Sequence, residues 1–364
     1  MENVMHTPKT DIHFTQKLNH DQTVDFIAAN PKVRVYVVGE PGIGKSYLIK
    51  ELGRRLGLPT AYIDMPNLDL GDIAMPVIDH EAKVTRYYPN ARFGLQNGVP
   101  VIIMLDEWTK AMTPVKNMTH PMFEVDNPRL GDLPIPEGSY IFLTGNLETD
   151  GVGDSMQAHT KQRVTRIELM KPTAEYWIEN YAVPNNLCTI VIAWVNQHPH
   201  CLASYTDEGQ EDNELIYNPT VPQSAVCSPR TLEKVAGIID NRDKYDADTL
   251  LAAMQGTVGN SAAELLGSYI RHQDDLPSYA SIINNPTTAR IPEDDGAMAV
   301  LCFGLLEKVE ANTLTQIMEY LGRLPDLEWQ CIFCINLARH KVKSQFAFAN
   351  KAFAAWCAKN QDIL

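Results

Sequence analysis

The stretch that decides the fold is VRVYVVGEPGIGKS, residues 33–46. Residues 33–38 are rich in β-branched side chains, which predicts a strand buried on both faces of a parallel sheet. The segment after it fits the pattern G-x-x-x-x-G-K-[ST], and leucines at helical spacing follow until Gly57. A strand, a glycine-rich loop and a helix in this order predict a loop whose backbone N–H groups face phosphate oxygens.

The loop and the first residue of the helix supply the predicted nucleotide-binding positions. These are Gly39, Pro41, Gly42, Ile43, Gly44, Lys45, Ser46 and Tyr47. In this pattern the lysine reaches the β- and γ-phosphates, and the hydroxyl of Ser46 is a ligand for Mg²⁺. An ordinary glycine-rich turn is the alternative, and the strand and helix on either side of the loop count against it.

A second apolar run, VIIML at 101–105, ends in Asp106 and Glu107. At the carboxyl end of a buried strand the two acids can have different tasks. We expect Asp106 to hold the Mg²⁺ shell and Glu107 to polarise the attacking water as a general base. Acids at the solvent boundary also end many strands, but the preceding phosphate loop favours the functional interpretation.

A third apolar run, YIFL at 140–143, ends in Thr144, Gly145 and Asn146. The carboxamide of Asn146 is in a position to hydrogen-bond the attacking water or the γ-phosphate. The alternative is an asparagine in a turn after glycine. Three polar strand ends in one α/β region predict one catalytic site at the carboxyl edge of a parallel sheet.

Composition narrows the class of protein. The chain has 364 residues, with 31 Lys plus Arg against 45 Asp plus Glu and a net charge of −14, which counts against a nucleic-acid partner. Its longest uncharged apolar run, 296–306, is too short to cross a membrane. Residues 1–20 lack the apolar segment of a secretory signal, so we expect a cytoplasmic protein. The 7 cysteines predict reduced thiols, and Cys331-x-x-Cys334 is interpreted as a buried helix face.

The order of patterns along the chain predicts five regions. They are an N-terminal helical lead-in (1–30), a nucleotide-binding αβα domain (31–170), a helical lid (171–272), a linker (273–296) and a C-terminal helical segment (297–364). In the lid, Ser228 is a favoured N-cap and Pro229 suits the first helical position. Arg230 is therefore predicted in the first turn of a lid helix, where it can lean over the phosphates of its own subunit.

These strand-end signals, in this order and spacing, resemble an AAA+ ATPase with Walker A, Walker B and sensor 1 motifs. Further blocks resemble the MoxR-type branch of that family: GEPGIGKS (39–46), DLGDIAMPV (69–77), LDEWTKA (105–111), RLG (129–131), LPIP (133–136) and GN (145–146). Residues 162–169, QRVTRIEL, resemble its arginine-finger segment, and residues 228–233, SPRTLE, resemble its sensor 2 helix.

The resemblance implies an α/β fold, a P-loop NTPase (AAA+) parallel-sheet αβα domain followed by a helical lid and a C-terminal helical segment. It also implies a homo-oligomeric ring, usually a hexamer, with ATP and Mg²⁺ at subunit interfaces. MoxR-type ATPases commonly remodel or activate a client protein, often with a von Willebrand factor A-domain (VWA) partner. Arg163 would be the finger, with Arg166 as the alternative because Val164 replaces the usual aromatic residue, and Arg230 would be sensor 2.

Residues 62–98 are too many for a plain helix between two strands. IDHEAKV at 78–84, followed by Tyr87 and Tyr88, is compatible with a hairpin. The resemblance implies that such an insertion faces the central pore, where Lys83, Arg86 and Tyr87 would touch a client. A hairpin that simply faces solvent is the alternative.

Three other functions remain open at this point. The first is a slowly hydrolysing, nucleotide-gated assembly scaffold. The second is a DNA-associated AAA+ ATPase, against which the net charge of −14 counts. The third is a small-molecule P-loop kinase, in which the finger and sensor arginines would have no role.

Overall fold

The computed structural model describes residues 16–147, 156, 158–220, 223, 225–272, 276–340 and 342–362. The chain divides into two compact units, Met1–Lys171 and Pro172–Leu364. Residues 1–15 of the predicted lead-in lie outside the described residues.

The first unit contains nine strands and five α-helices among its described residues. The strands are β1 (Val35–Val38), β2 (Thr60–Asp64), β3 (Ala74–Asp79), β4 (Val84–Pro89), β5 (Ile102–Asp106), β6 (Arg129–Leu130), β7 (Leu133–Pro134), β8 (Tyr140–Gly145) and β9 (Thr165–Glu168). The helices are α1 (His20–Ala29), α2 (Tyr47–Leu56), α3 (Leu70–Ile73), α4 (Thr113–Thr119) and α5 (Ala158–Lys161).

Five of these strands form a parallel sheet in the order β2-β5-β8-β1-β9. The three apolar runs of the sequence are its central strands β5, β8 and β1, and the predicted α/β class is confirmed. All four residues of β1 are buried, as expected for a strand covered on both faces. The predicted helix end is also confirmed, because Gly57 caps α2 in the left-handed conformation at φ 66°.

The two edges of the sheet differ. Along β9, the N–H of Leu18 donates to the carbonyl of Glu168 (3.0 Å), and the N–H of Met170 donates to the carbonyl of Leu18 (2.8 Å). Lys17 adds an ion pair to Glu168 at 3.3 Å. At the other edge, β2 has no strand on its outer side among the described residues.

The predicted hairpin is confirmed as the antiparallel pair β3–β4. Its backbone at Tyr87 is held by Asp132 in the turn of the second hairpin, β6–β7. The N–H of Asp132 donates to the Tyr87 carbonyl (2.8 Å), and the Tyr87 N–H donates to Asp132 Oδ2 (2.7 Å). Gly131 has φ 55°, and a Cβ there would lie 2.4 Å from the Tyr87 carbonyl oxygen, so this close approach requires glycine.

The described residues of the second unit form helices, turns and one isolated bridge. The α-helices are α6 (Ala174–Trp177), α7 (Thr189–Gln197), α8 (Pro229–Asp240), α9 (Ala247–Val258), α10 (Asn260–His272), α11 (Tyr279–Asn284), α12 (Asp295–Lys308), α13 (Leu314–Leu321), α14 (Leu327–Arg339), α15 (Ser344–Ala347) and α16 (Lys351–Lys359). The bridge joins Ile216 to Cys227.

One hydrophobic core runs through the second unit and includes the fully buried side chains of Trp194, Phe303, Phe333 and Phe353. It draws on the predicted lid and on the predicted C-terminal segment alike. Cys334 is buried in the same core on α14. The functional division of this region into a lid, a linker and a terminal segment remains a prediction.

None of the helices in the part of the chain that the structure describes is both long enough and apolar enough to span a membrane.

Candidate nucleotide-binding site

The glycine-rich loop, residues 39–46, joins the carboxyl end of β1 to the first turn of α2. Gly42 and Gly44 have φ values of 77° and 95°, which side chains with a Cβ rarely adopt. At Gly44 an added Cβ would also lie 3.1 Å from the Nε2 atom of His20. The backbone therefore curls as a phosphate-binding loop requires, with the positive end of a ten-residue helix behind it.

The ammonium group of Lys45 connects this loop to the end of a neighbouring strand. It is buried and donates to the carbonyls of Gly39 (2.7 Å) and Glu40 (2.8 Å) and to Oδ1 of Asn146 (2.9 Å). These bonds join the ammonium to the loop on one side and to the residue after β8 on the other. The structure thus brings together Lys45 and Asn146, which lie 101 residues apart in the sequence.

Asp106 lies at the carboxyl end of β5, beside β8, and its carboxylate is buried. Its Oδ1 accepts a short hydrogen bond from the hydroxyl of Thr144, and its Oδ2 accepts one from the Tyr62 hydroxyl at 2.5 Å. A buried carboxylate is stable only when hydrogen bonds replace its water. Both oxygens of Asp106 are held in this way.

Glu107 follows directly in the left-handed conformation (φ 49°, ψ 38°), which is uncommon for a residue with a side chain. Its N–H donates to the hydroxyl of Thr144 at 3.1 Å, and its carboxylate pairs with Lys110 at 2.7 Å. Thr144 therefore bonds both neighbouring acids at once. The strand ends at this turn, so the two acids have different partners: Tyr62 and Thr144 for the carboxylate of Asp106, and Lys110 for that of Glu107.

Tyr62 on the edge strand β2 contacts Asp106, one of the two predicted metal ligands. Burial and then the hydrogen bond to Asp106 raise the pKa of its phenol, whereas the nearby Ser46 hydroxyl acts in the opposite direction. Ser46 is the N-cap of α2, yet its side chain makes no capping hydrogen bond. The side chain of Ser46 is thus not used for the helix cap, whereas Asp106 is bonded by Tyr62.

These oxygen donors fit Mg²⁺, which binds one or two protein oxygens and completes its shell with phosphates and water. Within the described ranges, no group of three or more His, Cys, Asp or Glu side chains is arranged to hold a metal ion. A cation here would thus depend on nucleotide oxygens, as the sequence pattern predicts. Ser46 and Asp106 are the residues that would hold it.

The remaining predicted residues occupy different surroundings. Ile43 is buried in the core beneath the loop. Pro41 and Tyr47 are half-buried, and burial raises the pKa of the Tyr47 phenol. Arg163 is exposed directly before β9, whereas Arg166 lies within β9 and is half-buried.

Arg230 belongs to the second unit. It is exposed in the first turn of α8, where the Ser228 side chain accepts from the N–H of Thr231 at 3.2 Å and Pro229 is the first helical residue. The predicted cap and the predicted helix are confirmed. The approach of Arg230 to phosphates stays a prediction.

Sequence reasoning missed four contributors to the site region: Tyr62, Thr144, Lys110 and the ion pair of Glu40 with Lys171. That pair is 3.5 Å long, and its side chains are only 6% and 4% exposed. Thr144 could have been found, because it precedes Gly145 and Asn146 at the end of an apolar strand. Tyr62 carries no motif, and its contact depends on the pairing of β2 with β5.

A parallel sheet in this order, with a phosphate-binding loop after β1 and acids after β5, is the AAA+ P-loop NTPase fold. Residues 35–122 match the family model described as ATPase family associated with various cellular activities (AAA). The match spans the phosphate-binding loop, the strands β1 to β5 and both acids at the carboxyl end of β5.

Two solved structures are similar to the chain, with low sequence identity and low TM-scores. NtrX from Brucella abortus, in complex with ADP, has 13% identity and a TM-score of 0.39 over 94% of this chain and 67% of its own. An inferred ATPase from Cytophaga hutchinsonii has 14% identity and a TM-score of 0.34 over 87% of this chain and 81% of its own. No curated protein matches the sequence.

Proposed function

We propose that this chain is a MoxR-type AAA+ ATPase that hydrolyses ATP, with Mg²⁺, at the subunit interfaces of a homo-oligomeric ring. The energy of hydrolysis would serve to remodel or activate a client protein, with a VWA-domain protein as partner. One observation carries the ATPase proposal: Lys45, Asn146, Asp106 and Glu107 gather at the adjoining carboxyl ends of β1, β8 and β5.

Each of these residues has a task that its contacts support. The loop N–H groups and Lys45 bind the β- and γ-phosphates, and Mg²⁺, when bound, neutralises phosphate charge. Asn146 already shares a hydrogen bond with Lys45, so it is placed to orient the water or the γ-phosphate. Glu107 accepts the proton of the attacking water, for which its carboxylate has to leave the ion pair with Lys110.

The ring and its partners are proposed from the sequence blocks and from two exposed features. Arg163 is exposed beside the sheet edge, as a residue acting on a neighbouring subunit has to be. The β3–β4 hairpin exposes apolar side chains that a client could contact: Met75, Val77, Ile78, Val84, Tyr87 and Tyr88. Arg86 and Lys83 add positive charge to the same hairpin.

The test of the chemistry separates binding from turnover. Lys45→Ala should weaken ATP binding, because it removes the charge that faces the phosphates. Glu107→Gln should bind ATP like the unmodified protein and lose roughly 10²- to 10⁴-fold in kcat, the usual contribution of a general base. Glu124→Gln, which alters an exposed pair with Arg129, is the matched control and should change neither quantity.

Equal loss of ATP binding in Lys45→Ala and Glu107→Gln would contradict the separate roles of the two residues. A low kcat that no partner raises would instead favour the slowly hydrolysing scaffold.

The client proposal is tested by affinity capture with the Glu107→Gln protein and ATP, because a ring that binds but does not turn over should retain its partners. Arg86→Ala with Tyr87→Ala should leave basal ATPase near normal and abolish stimulation by a captured partner. Stimulation equal to that of the unmodified protein would remove the hairpin from the mechanism.

A further inference from the structure

Tyr62 occupies an unusual place for an aromatic side chain on a sheet edge. It lies on β2 opposite Met104 of β5, two residues before the register pair Asp64 and Asp106. Its side chain therefore lies on the same face of the sheet as Asp106. The residue is 50% exposed, yet its hydroxyl points inward and donates to Asp106 Oδ2 at 2.5 Å.

The contact of this hydroxyl involves a proposed Mg²⁺ ligand. Asp106 Oδ2 accepts its hydrogen. Each oxygen of Asp106 accepts one hydrogen bond, and a carboxylate oxygen whose charge is shared with a donated hydrogen attracts a cation, or a water of its shell, less strongly. The phenol and Mg²⁺ therefore compete for Asp106.

We propose that Tyr62 is a gate for the Mg²⁺ site, with its hydroxyl holding Asp106 in a hydrogen bond that a Mg²⁺–nucleotide complex has to displace. The inference rests on the proposed function, since it concerns the metal that accompanies ATP. Tyr62 acts here as a positioning residue.

The surroundings of Tyr62 allow such an exchange. No strand covers the outer side of β2 among the residues that the structure describes, so the half-exposed ring has room to turn toward solvent. Asp106 would keep its place meanwhile, because Thr144 holds its other oxygen. The gate thus opens without loss of the carboxylate position.

Tyr62→Phe tests the gate, because it removes the hydroxyl and keeps the ring. Binding of a fluorescent ADP analogue, which needs no turnover, is measured in EDTA and over a series of Mg²⁺ concentrations. We expect the half-saturating Mg²⁺ concentration to fall about tenfold, as loss of one competing hydrogen bond to a charged group predicts. Affinity in EDTA should be unchanged.

Tyr140→Phe is the matched control. It also removes a phenol hydrogen bond from the first unit, that to the carbonyl of Ala28 (3.2 Å). Neither of the proposed metal ligands takes part in that hydrogen bond. We expect it to leave the Mg²⁺ dependence of binding unchanged.

A second measurement follows the ring itself. In protein with ¹³C-labelled tyrosine rings, the Cζ signal that is absent from Tyr62→Phe should shift when Mg²⁺ and ADP are added together, and not with ADP in EDTA. An unshifted signal would overturn the gate.

An unchanged half-saturating Mg²⁺ concentration in Tyr62→Phe would also overturn the gate. A higher one would overturn it by showing that the phenol helps to bind the metal. If the unmodified protein hydrolyses ATP as fast in EDTA as with Mg²⁺, the proposed Mg²⁺-dependent function fails, and this inference fails with it. The two failures are therefore distinguishable from the behaviour of the unmodified protein alone.

Discussion

The two units of the chain bury different kinds of side chain. Among the described residues, every buried charged side chain belongs to the first unit: Arg34, Glu40, Lys45, Asp106, Glu168 and Lys171. In the second unit, the polar side chains that are buried in the described part are two serines, Ser204 and Ser228. Its interior is otherwise aliphatic, aromatic and sulfur-containing.

The difference indicates that the first unit buries groups that can take part in chemistry, whereas the second unit buries groups that only pack. A buried charge is costly unless a partner and hydrogen bonds replace its hydration, so a fold keeps one only where it is paired or used. Lys45 and Asp106 are at the candidate nucleotide site, and Glu40 and Lys171 pair beside it. The interior of the second unit is stabilised mainly by buried apolar area, which offers few groups for catalysis.

The largest effect that tests this difference between the two units is expected on the rate of ATP turnover. If the catalytic groups belong to the first unit and act across a subunit interface, Arg163→Ala should lower kcat roughly 10³-fold with little change in nucleotide affinity. Mixing Arg163→Ala with Lys45→Ala subunits should restore some hydrolysis, because a mixed interface can pair an intact loop with an intact arginine. Arg92→Ala, which removes an exposed arginine paired with Asp72, is the control.

Mass measurement of mixed rings verifies that subunits exchange. If mixed rings form without activity, and Arg166→Ala mixed with Lys45→Ala does recover activity, the finger is Arg166.

The next effect concerns the buried ion pair. Glu40→Gln or Lys171→Met alone should lower the free energy of unfolding by about 3 kcal/mol, because each removes the ion-pair partner of a buried charge. The double variant should be no less stable than either single one, as measured in denaturant. The control is the exposed pair of Arg86 and Asp79, 3.8 Å apart, where Arg86→Ala should cost about 0.5 kcal/mol or less. Additive losses in the double variant would show that the pairing itself contributes little.

A core substitution in the second unit should lower the stability as much as loss of the buried ion pair does, or less. It should not affect the candidate nucleotide site. Leu337→Ala removes a fully buried side chain from α14 and should cost about 2 to 3 kcal/mol through the cavity it leaves. Leu327→Ala, at the exposed start of the same helix, should cost little. ADP affinity per folded molecule should be the same in both. A weaker affinity in the Leu337 variant would break the separation between chemistry and packing.

Much of the first unit could be predicted from the sequence because its signals are local. Apolar runs at 33–38, 101–105 and 140–143 became the central strands β1, β5 and β8, and the leucine spacing with Gly57 became α2. The β3–β4 hairpin followed from alternation. Each of these patterns lies within a few residues of the element that it predicts.

The contacts that complete the site are not local and could not be predicted. Tyr62 and Asp106 are 44 residues apart and meet only because β2 pairs with β5 in a particular register. The β6–β7 hairpin was missed because its strands have two residues each, and contact between Asp132 and Tyr87 holds it. The single core of the second unit likewise joins helices that are far apart in sequence.

The smallest expected effect is on the pH dependence of stability, at a charged side chain of the first unit that lies nearer the surface than the buried ion pair does. A hydrogen bond from Arg54, with a further one from Arg55, lowers the pKa of Glu51 from 4.5 to about 2. A folded-state pKa below the unfolded one stabilises the protein above pH 4.5, and this contribution disappears as the pH falls toward 2. Glu51→Gln should therefore cost about 0.5 to 1 kcal/mol at pH 7 and less at pH 3.

Chemical denaturation at the two pH values measures this difference. Glu81→Gln, an exposed carboxyl of the hairpin turn, serves as the control and should change the free energy of unfolding little at either pH. An effect of Glu51→Gln that is larger at pH 3 than at pH 7 would contradict the assignment.

The short segment that pairs with β9 has a consequence for handling the protein in solution. Leu18 satisfies backbone groups of Glu168 and Met170 that would otherwise face water along an open strand edge. Such an edge can recruit a strand from another molecule, because its N–H and C=O groups are already aligned. A chain shortened to begin at Asn19 should therefore self-associate edge to edge, so Lys17 and Leu18 protect each subunit from aggregation at this edge.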